Sequence, residues 1–317
     1  MEYKEIFADL ELFDCEKNLL SNSDMAKFHS FLELLQKNKC RLIFRGESKI
    51  NELYNCDVGN ITELLERIFM VGPKGKHFWK QESKYIYKTL CKETFKQLFD
   101  EFHNLFTRND IRSEKLKNHL NSFKNSDKKF YTYFANNDNF VYFWENISNH
   151  SQKERNIILD YYLSILHSAG QIATKGSYML STSLEIKEAM RYQNNGIIYV
   201  SWIGKSNNNG SYYDLNKVNN FIKNNNLPYY TQSIYPEDNE ICVKYGILPH
   251  RIIGIIIDKY FFVNHNFFNQ QQDLSNVLKS GFDIDQTHFD EIIKLTNYKH
   301  AYNVHECANS TCYLLRP

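Results

Sequence analysis

The sequence predicts an α+β fold, and three observations lead to that class. Apolar residues recur at helical spacing over residues 1–40 and again from about 60 to 166. The chain after Gly170 instead carries short β-branched and aromatic runs bounded by Gly, Asn or Pro. A further apolar run, Leu42–Phe44, leads into Arg45-Gly46 and predicts a strand ahead of the long helical stretch. We therefore expect a mixed core with a helical insertion between its first strand and the others.

The helical regions are recognised by stripes of apolar side chains. In the N-terminal segment 1–40 the stripe is Phe28, Phe31, Leu32 and Leu35. In the expected insertion, residues 49–166, the clearest stripe is Phe95, Leu98, Phe99, Phe102, Leu105 and Phe106. Polar breaks at 125–126, 136–137 and 148–150 predict turns. Residues 41–48 and 167–317 are left to form the core.

Four runs predict the later strands. They are SYMLSTS (177–183), GIIYVSWI (196–203), EICVKY (240–245) and HRIIGIII (250–257). Short helices are expected at Leu184–Tyr192 and Lys217–Lys223. A helix from Leu274 to Leu295 and a last strand, Cys312–Leu315, complete the expectation.

Composition excludes several classes of protein. With 42% hydrophobic residues, 23 Phe and 22 Tyr, the chain can bury a core and does not have the composition of a disordered protein. The formal charge of +1 gives no overall attraction to nucleic acid or to an anionic membrane. Seven scattered cysteines without a CxxC pair do not form a disulfide framework. The acidic N-terminus and the short apolar run Ile252–Ile257 predict a cytoplasmic protein without a membrane span.

One region departs from this charge balance. Residues 74–129 hold fourteen Lys or Arg against seven Asp or Glu, with Phe78, Trp79, Tyr85 and Tyr87 interleaved. Basic groups alternating with stackable rings are typical of surfaces that bind single-stranded nucleic acid. An amphipathic helix pair with a solvated lysine face predicts the same pattern. Both interpretations stay open at this point.

Three separated segments suggest a chemistry. The first is Phe44-Arg45-Gly46, and the second is Ser181-Thr182-Ser183 before a helix through Ala189 and Tyr192. In the third, Asp238 and Glu240 stand where a strand opens. Together and in this order the segments resemble the Arg-Ser-Glu class of ADP-ribosyltransferases. The resemblance covers residues 41–48 and roughly 170–260, and it implies a split antiparallel β core that binds NAD as a substrate.

The resemblance assigns a role to each residue. Glu240 is the implied catalytic carboxylate, which stabilises the oxocarbenium-like state formed when the nicotinamide–ribose bond breaks. Arg45 offers forked donors to phosphate oxygens, and Gly46 allows a close approach of backbone to ligand. Ser181 braces the site, with Thr182 and Ser183 beside it. Tyr192 is implied to stack on nicotinamide, although a packed core tyrosine explains it as well.

The acceptor side of the site is less defined by the resemblance. Asp238 lies two residues before Glu240, so both side chains share one face of a strand. Many relatives carry Glu or Gln there, and this sequence has Asp preceded by Glu237. The segment Leu227–Pro236 is the implied acceptor-recognition loop. The expected acceptor is a macromolecule, with a nucleic-acid base slightly favoured over a protein side chain.

A looser resemblance concerns the setting of the protein. The run FRGES (44–48), His167, Thr174 and the helix after Ser183 are similar to the FRG domains of bacterial and phage proteins. That resemblance implies a toxin or phage-defence role, with an inhibitory antitoxin or immunity protein as a further expected partner. A non-catalytic binding module that keeps the ADP-ribosyltransferase fold is the alternative.

Other ligand signals fail on inspection. The sequence has no GxGxxG motif for a dinucleotide fold, and Gly204-Lys205-Ser206 lacks the first glycine of a phosphate loop because Tyr199 stands there. His305, Cys307 and Cys312 have no fourth ligand and no common zinc spacing. We therefore expect no metal.

Overall fold

A computed structural model describes residues 2–50, 59–73, 90–108, 114–168, 179–204, 212–213, 215–230, 239–244, 247 and 251–264. These residues form a mixed α+β protein, which confirms the predicted class. They group into two compact units. The described residues of Met1–Lys74, Leu180–Tyr212 and Val243–Pro317 form the sheet unit, and those of Gly75–Met179 and Tyr213–Cys242 form the helical unit.

The strands belong to one mixed sheet with the order β1-β8-β7-β4-β2-β3-β6-β5. Its members are β1 (Glu11–Phe13), β2 (Arg41–Glu47), β3 (Met179–Ser183), β4 (Ile197–Ile203), β5 (Tyr212–Tyr213), β6 (Glu240–Lys244), β7 (Ile252–Ile257) and β8 (Tyr260–Val263). β1 runs parallel to β8, whereas the β2–β4, β4–β7 and β7–β8 pairs are antiparallel. The four predicted strand runs are confirmed as β3, β4, β6 and β7.

The core of the sheet unit lies between the sheet and helix α1 (Asn22–Lys37). Ser21 begins this helix by accepting a hydrogen bond from Asp24 N at 3.1 Å, which satisfies an amide left free in the first turn. The predicted stripe of α1 is buried against alternate residues of β2, Leu42 and Phe44. Each such buried side chain stabilises the fold by about 1.5–3 kcal/mol.

The sequence predicted a helical N-terminal segment, but only part of it is an α-helix. A 3₁₀ turn covers Tyr3–Phe7, and Glu11–Phe13 forms β1. Three residues are too few to show strand alternation. β1 is a strand because it pairs with Tyr260–Val263, which lies far along the chain. The second helix of the sheet unit, α2, spans Ile61–Val71 and ends at Gly72, whose φ is +66°.

The helical unit is built on aromatic side chains. Its helices are α3 (Lys92–Thr107), α4 (Glu114–Ser126), α5 (Lys128–Ala135), α6 (Phe140–Ser148), α7 (Gln152–Ser168) and α9 (Leu215–Asn224). The predicted phenylalanine stripe lies on α3, where Phe99 and Phe102 pack on Phe134 with ring centroids 5.1 and 4.5 Å apart. The predicted turns at 136–137 and 148–150 are confirmed at the ends of α5 and α6, whereas residues 125–126 still belong to α4 and the break follows at Asp127.

Buried tyrosines of this unit have partners for their hydroxyls. Tyr161 Oη donates to Asn219 Oδ1 at 2.6 Å and accepts from Tyr230 N at 2.8 Å. Tyr162 Oη donates to the carbonyl of Pro228 at 2.7 Å. Burial raises the pKa of both groups, and it raises the pKa of Tyr133 to about 12. These bonds tie residues after α9 to α7.

Helix α8 (Ile186–Gln193) connects β3 to β4 within the sheet unit and matches the helix expected at Leu184–Tyr192. The helix expected at Lys217–Lys223 is confirmed within α9. The predicted helix Leu274–Leu295 and strand Cys312–Leu315 lie outside the described residues. No helix in the described part of the chain is long and apolar enough to cross a bilayer.

Candidate functional site

The two edges of β2 are bonded differently. Toward β4, the register includes every residue of the strand, from Arg41 opposite Ile203 to Glu47 opposite Ile197. Toward β3, the described residues form one register pair, Phe44 opposite Ser183. We call the β4 side of β2 the closed edge and the β3 side of Arg45–Glu47 the open edge. The strand therefore has one fully paired side and one side where backbone pairing stops.

Arg45 joins the two strands at the open edge. Its Nη1 donates to the carbonyl of Ser181 at 2.9 Å, and its Nη2 donates to Glu47 Oε2 at 2.8 Å. The side chains of Arg45 and Glu47 are 23% and 13% exposed. The Arg45 Nε is buried and has no hydrogen-bond partner among the described residues. The guanidinium is thus held in place by two hydrogen bonds and is partly exposed.

Gly46 is required by helix packing. A Cβ at this position would collide with the carbonyl oxygen of Ala189 and would lie 2.7 Å from Gln193 N and 2.9 Å from the carbonyl carbon of Tyr192. The close approach that the sequence led us to expect here is therefore made to the backbone of α8. This contact fixes α8 directly above the strand that carries Arg45.

The three hydroxyl residues of β3 have different environments. Thr182 and Ser183 are buried, whereas Ser181 is half-buried. Ser183 Oγ accepts a hydrogen bond from Glu185 N at 2.9 Å, just before α8 begins. Ser183 therefore helps to start α8, a local role that Ser and Thr side chains often take ahead of a helix. Ser181 is the member of the group whose carbonyl binds Arg45 and whose side chain has some exposure.

Tyr192 lies on the solvent side of α8. Its side chain is 55% exposed, so the core alternative raised by the sequence does not hold. Ala189, one turn earlier, is buried against the sheet. Glu188 is buried and forms an ion pair with Arg191. The backbone of Tyr192 lies next to Gly46.

Glu240 opens strand β6, as the sequence predicted. It follows Asn239, whose φ of +44° places it in the left-handed region that Asn tolerates. The Glu240 carboxylate is half-buried, and Cys242 Sγ donates to its Oε1 at 3.6 Å. Residues two apart share a face of a strand, so this contact shows the direction of the Glu240 side chain.

The predicted site residues are divided between the two units. Arg45, Gly46, the hydroxyl residues 181–183 and Tyr192 belong to the sheet unit, and Glu240 belongs to the helical unit. Asp238 and Glu237 lie outside the described residues. Within the predicted acceptor loop, Leu227 and Tyr230 are buried, and residues 231–236 lie outside the described residues.

The signals set aside on sequence grounds add nothing to the site. Tyr199 is fully buried in β4, so it is a core residue. Lys205, Ser206, His305, Cys307 and Cys312 lie outside the described residues. In the described part of the chain, no group of three or more His, Cys, Asp or Glu side chains is placed to hold a metal ion.

Sequence reasoning missed Glu47. The available signal was its spacing, because residues 45 and 47 lie on one face of a strand and carry opposite charges. The run FRGES was interpreted through Arg45 and Gly46 alone. In the structure Glu47 is the counter-ion of Arg45, and its Oε1 also accepts from Lys49 N at 3.2 Å.

No family model, curated protein or solved structure matches this chain.

Proposed function

We propose that the protein is an NAD-dependent mono-ADP-ribosyltransferase with the split antiparallel β core of that family. The observation that carries the proposal is the open edge of β2. There the backbone ladder stops after Phe44 and Ser183, and the guanidinium of Arg45 joins the strands at Ser181. A fixed, partly exposed cation at a break in a sheet suits a dinucleotide pyrophosphate. Its type and chain position match the resemblance noted in the sequence.

The proposed chemistry uses groups of this chain alone. Arg45 exchanges its bond to Glu47 for bonds to the pyrophosphate of NAD, and Tyr192 stacks on the nicotinamide ring. The bond between ribose C1′ and the nicotinamide nitrogen breaks, and its electron pair leaves with neutral nicotinamide. The positive charge that remains on the ribose is stabilised by the Glu240 carboxylate. An acceptor oxygen or nitrogen then bonds to C1′ and releases a proton.

The acceptor in this proposal is a nucleic acid, with a protein side chain as the second choice. Asp238 is proposed to face the acceptor. A toxin or phage-defence setting, with a neutralising antitoxin or immunity partner, follows from the resemblance to FRG domains alone. Location in the cytoplasm remains a prediction from the sequence.

A non-catalytic binding module is the second candidate, and the Arg45–Glu47 pair favours it. A guanidinium with its own counter-ion at 2.8 Å needs no further anion to be stable. In that case the protein would keep the ADP-ribosyltransferase fold but would not turn over NAD.

Release of nicotinamide from NAD separates the two candidates. We expect the unaltered protein to release nicotinamide, and Glu240→Gln to be slower by about 100-fold or more, because the neutral amide cannot balance the charge of the transition state. Glu145→Gln is the matched control, since Glu145 is an exposed carboxylate in the helical unit. The binding-module candidate predicts no release from any of the three proteins.

The acceptor is identified by adding NAD labelled on its adenylate to a cell lysate. Label that survives protease but is lost to nuclease supports a nucleic-acid acceptor. Label with the opposite sensitivity excludes it and identifies a protein acceptor.

A further inference from the structure

Helices α4 and α5 carry a local excess of positive charge. Residues 114–135 contain five lysines and two carboxylates, Glu114 and Asp127. Asp127 is 8% exposed and caps α5 by accepting from Phe130 N at 3.0 Å. Its charge is therefore used inside the fold. Among the charged side chains that the structure shows as exposed on these helices, Lys117, Lys128 and Lys129 outnumber Glu114.

Three of these lysines lie near one another on α4 and α5. Lys117 and Lys124 are seven residues apart, which places them on one flank of α4 about 10 Å from each other. Lys124 Nζ lies 5.3 Å from the centre of the Tyr131 ring on α5. Tyr131 is three residues after Lys128, so those two side chains are neighbours on α5. We call Lys117, Lys124, Tyr131 and Lys128 the lysine strip.

Some other lysines of the described residues form ion pairs with carboxylates. Lys96 pairs with Asp100 on α3, and Lys27 pairs with Asp24 on α1. By contrast, none of the lysines of the strip forms an ion pair with another described residue. Lys117 and Lys128 are exposed, and Lys124 is half-buried because the tyrosine ring covers it. The strip therefore presents uncompensated charge, for which a polyanion is the natural partner.

The surface beside the strip suits unpaired bases. Asn118, Asn121 and Asn125 are exposed on the outer face of α4. Each amide offers both a donor and an acceptor, as base edges require. Base edges are accessible in this way mainly where a strand is not in a duplex. The combination of phosphate-binding cations and amides favours a single strand.

An anionic membrane fits this surface less well. A helix that lies on a bilayer inserts its apolar face into the lipid. Here the described apolar side chains Leu120, Phe130 and Phe134 are at most 2% exposed, so the protein interior covers these three. The large apolar side chains that are exposed among the described residues lie on other elements. The strip therefore lacks the apolar contact that a membrane-lying helix needs.

We propose that the lysine strip and the asparagine face of α4 bind single-stranded nucleic acid. The lysines contact phosphates of successive nucleotides, and the amides contact base edges with little sequence preference. Tyr131 holds Lys124 in position through the cation–π contact. This inference gives a location to the nucleic-acid acceptor of the proposed function. It also stands without NAD turnover, because the binding itself involves no reaction.

The test is the salt dependence of binding to a fluorescently labelled twelve-nucleotide uridine-rich RNA, followed by anisotropy. Three phosphate contacts on a single strand predict a slope of about −2 in log K against log salt, or about −0.7 per lysine. We expect Lys117→Gln with Lys128→Gln to reduce the slope by about 1.4 and to weaken binding at least tenfold at low salt. Lys96→Gln is the matched control, because it removes a lysine that Asp100 already neutralises.

The double variant replaces the two exposed lysines of the strip, Lys117 and Lys128, and leaves the Lys124–Tyr131 contact in place. A melting curve identical to that of the unaltered protein shows that the double variant is folded. Equal affinity and slope for the double variant and the unaltered protein would overturn the proposal. Tighter binding to duplex RNA, or binding to vesicles of phosphatidylserine and phosphatidylcholine without binding to RNA, would also overturn it. RNA binding without nicotinamide release rejects the proposed enzyme and keeps this inference. Nicotinamide release without RNA binding rejects this inference and keeps the proposed enzyme.

Discussion

The closed and open edges of β2 differ in how their backbone groups are satisfied. On the closed edge, the whole strand from Arg41 to Glu47 is paired with β4. On the open edge, pairing with β3 is limited to Phe44 and Ser183, and a side chain spans the remaining distance. Backbone hydrogen bonds hold β2 to β4 along its whole length, whereas a charged side chain bridges β2 and β3 where their pairing stops. One strand thus has two edges that are held in different ways.

The largest effect is expected at Gly46, which belongs to the fully paired strand and lies under α8. Gly46→Ala places a methyl group against the backbone of Ala189, and backbone cannot turn away as a side chain can. We expect a loss of about 4 kcal/mol or more in the free energy of unfolding, measured with denaturant. Gly204→Ala is the control, because an added Cβ there meets no atom within 4 Å. Similar stabilities for the two variants would show that α8 does not depend on Gly46.

A smaller effect is expected at the open edge from Glu47. Glu47→Gln leaves the Arg45 guanidinium without its counter-ion in a mostly buried position, and we expect a loss of about 1–2 kcal/mol in the free energy of unfolding. Glu33→Gln breaks an exposed pair with Lys4 and should leave the free energy of unfolding almost unchanged, because solvent screens the pair. If Glu47→Gln and Glu33→Gln lower the free energy of unfolding equally, the Arg45–Glu47 pair is as well solvated as an ordinary surface pair.

The smallest effect is expected at Ser183, where β3 leaves β2 and α8 begins. Ser183→Ala removes the acceptor of the Glu185 amide and should cost about 1 kcal/mol in the free energy of unfolding. Ser183→Thr keeps the hydroxyl and should retain most of that stability. A Thr variant as unstable as the Ala variant would mean that packing, and not the hydrogen bond, makes Ser183 important.

The elements that could be predicted from sequence are those with local signals. The phenylalanine stripe of α3, the strand containing Ser181 and the strand opened by Glu240 each carry their period or their boundary within a few residues. β1 could not be predicted, since three residues become a strand only through a partner about 250 positions later. The collision that requires Gly46 and the bridge from Arg45 to Ser181 are tertiary contacts as well. Sequence singled out Arg45 and Ser181 at the open edge, but it indicated neither Glu47 nor how these residues contact one another.

The proposed binding of NAD by Arg45 is the most direct point to test. The host protein is Glu240→Gln, which should bind NAD without consuming it, and the dissociation constant is measured by titration calorimetry. We predict that Arg45→Lys in this background weakens binding at least tenfold, about 1.4 kcal/mol, because an ammonium cannot reproduce the forked contacts of a guanidinium. Arg67→Lys, which alters another arginine paired with a carboxylate, should leave the constant unchanged. Equal affinities for the Arg45 variant and its host, or no binding by the host itself, would contradict the assignment of the open edge as the NAD site.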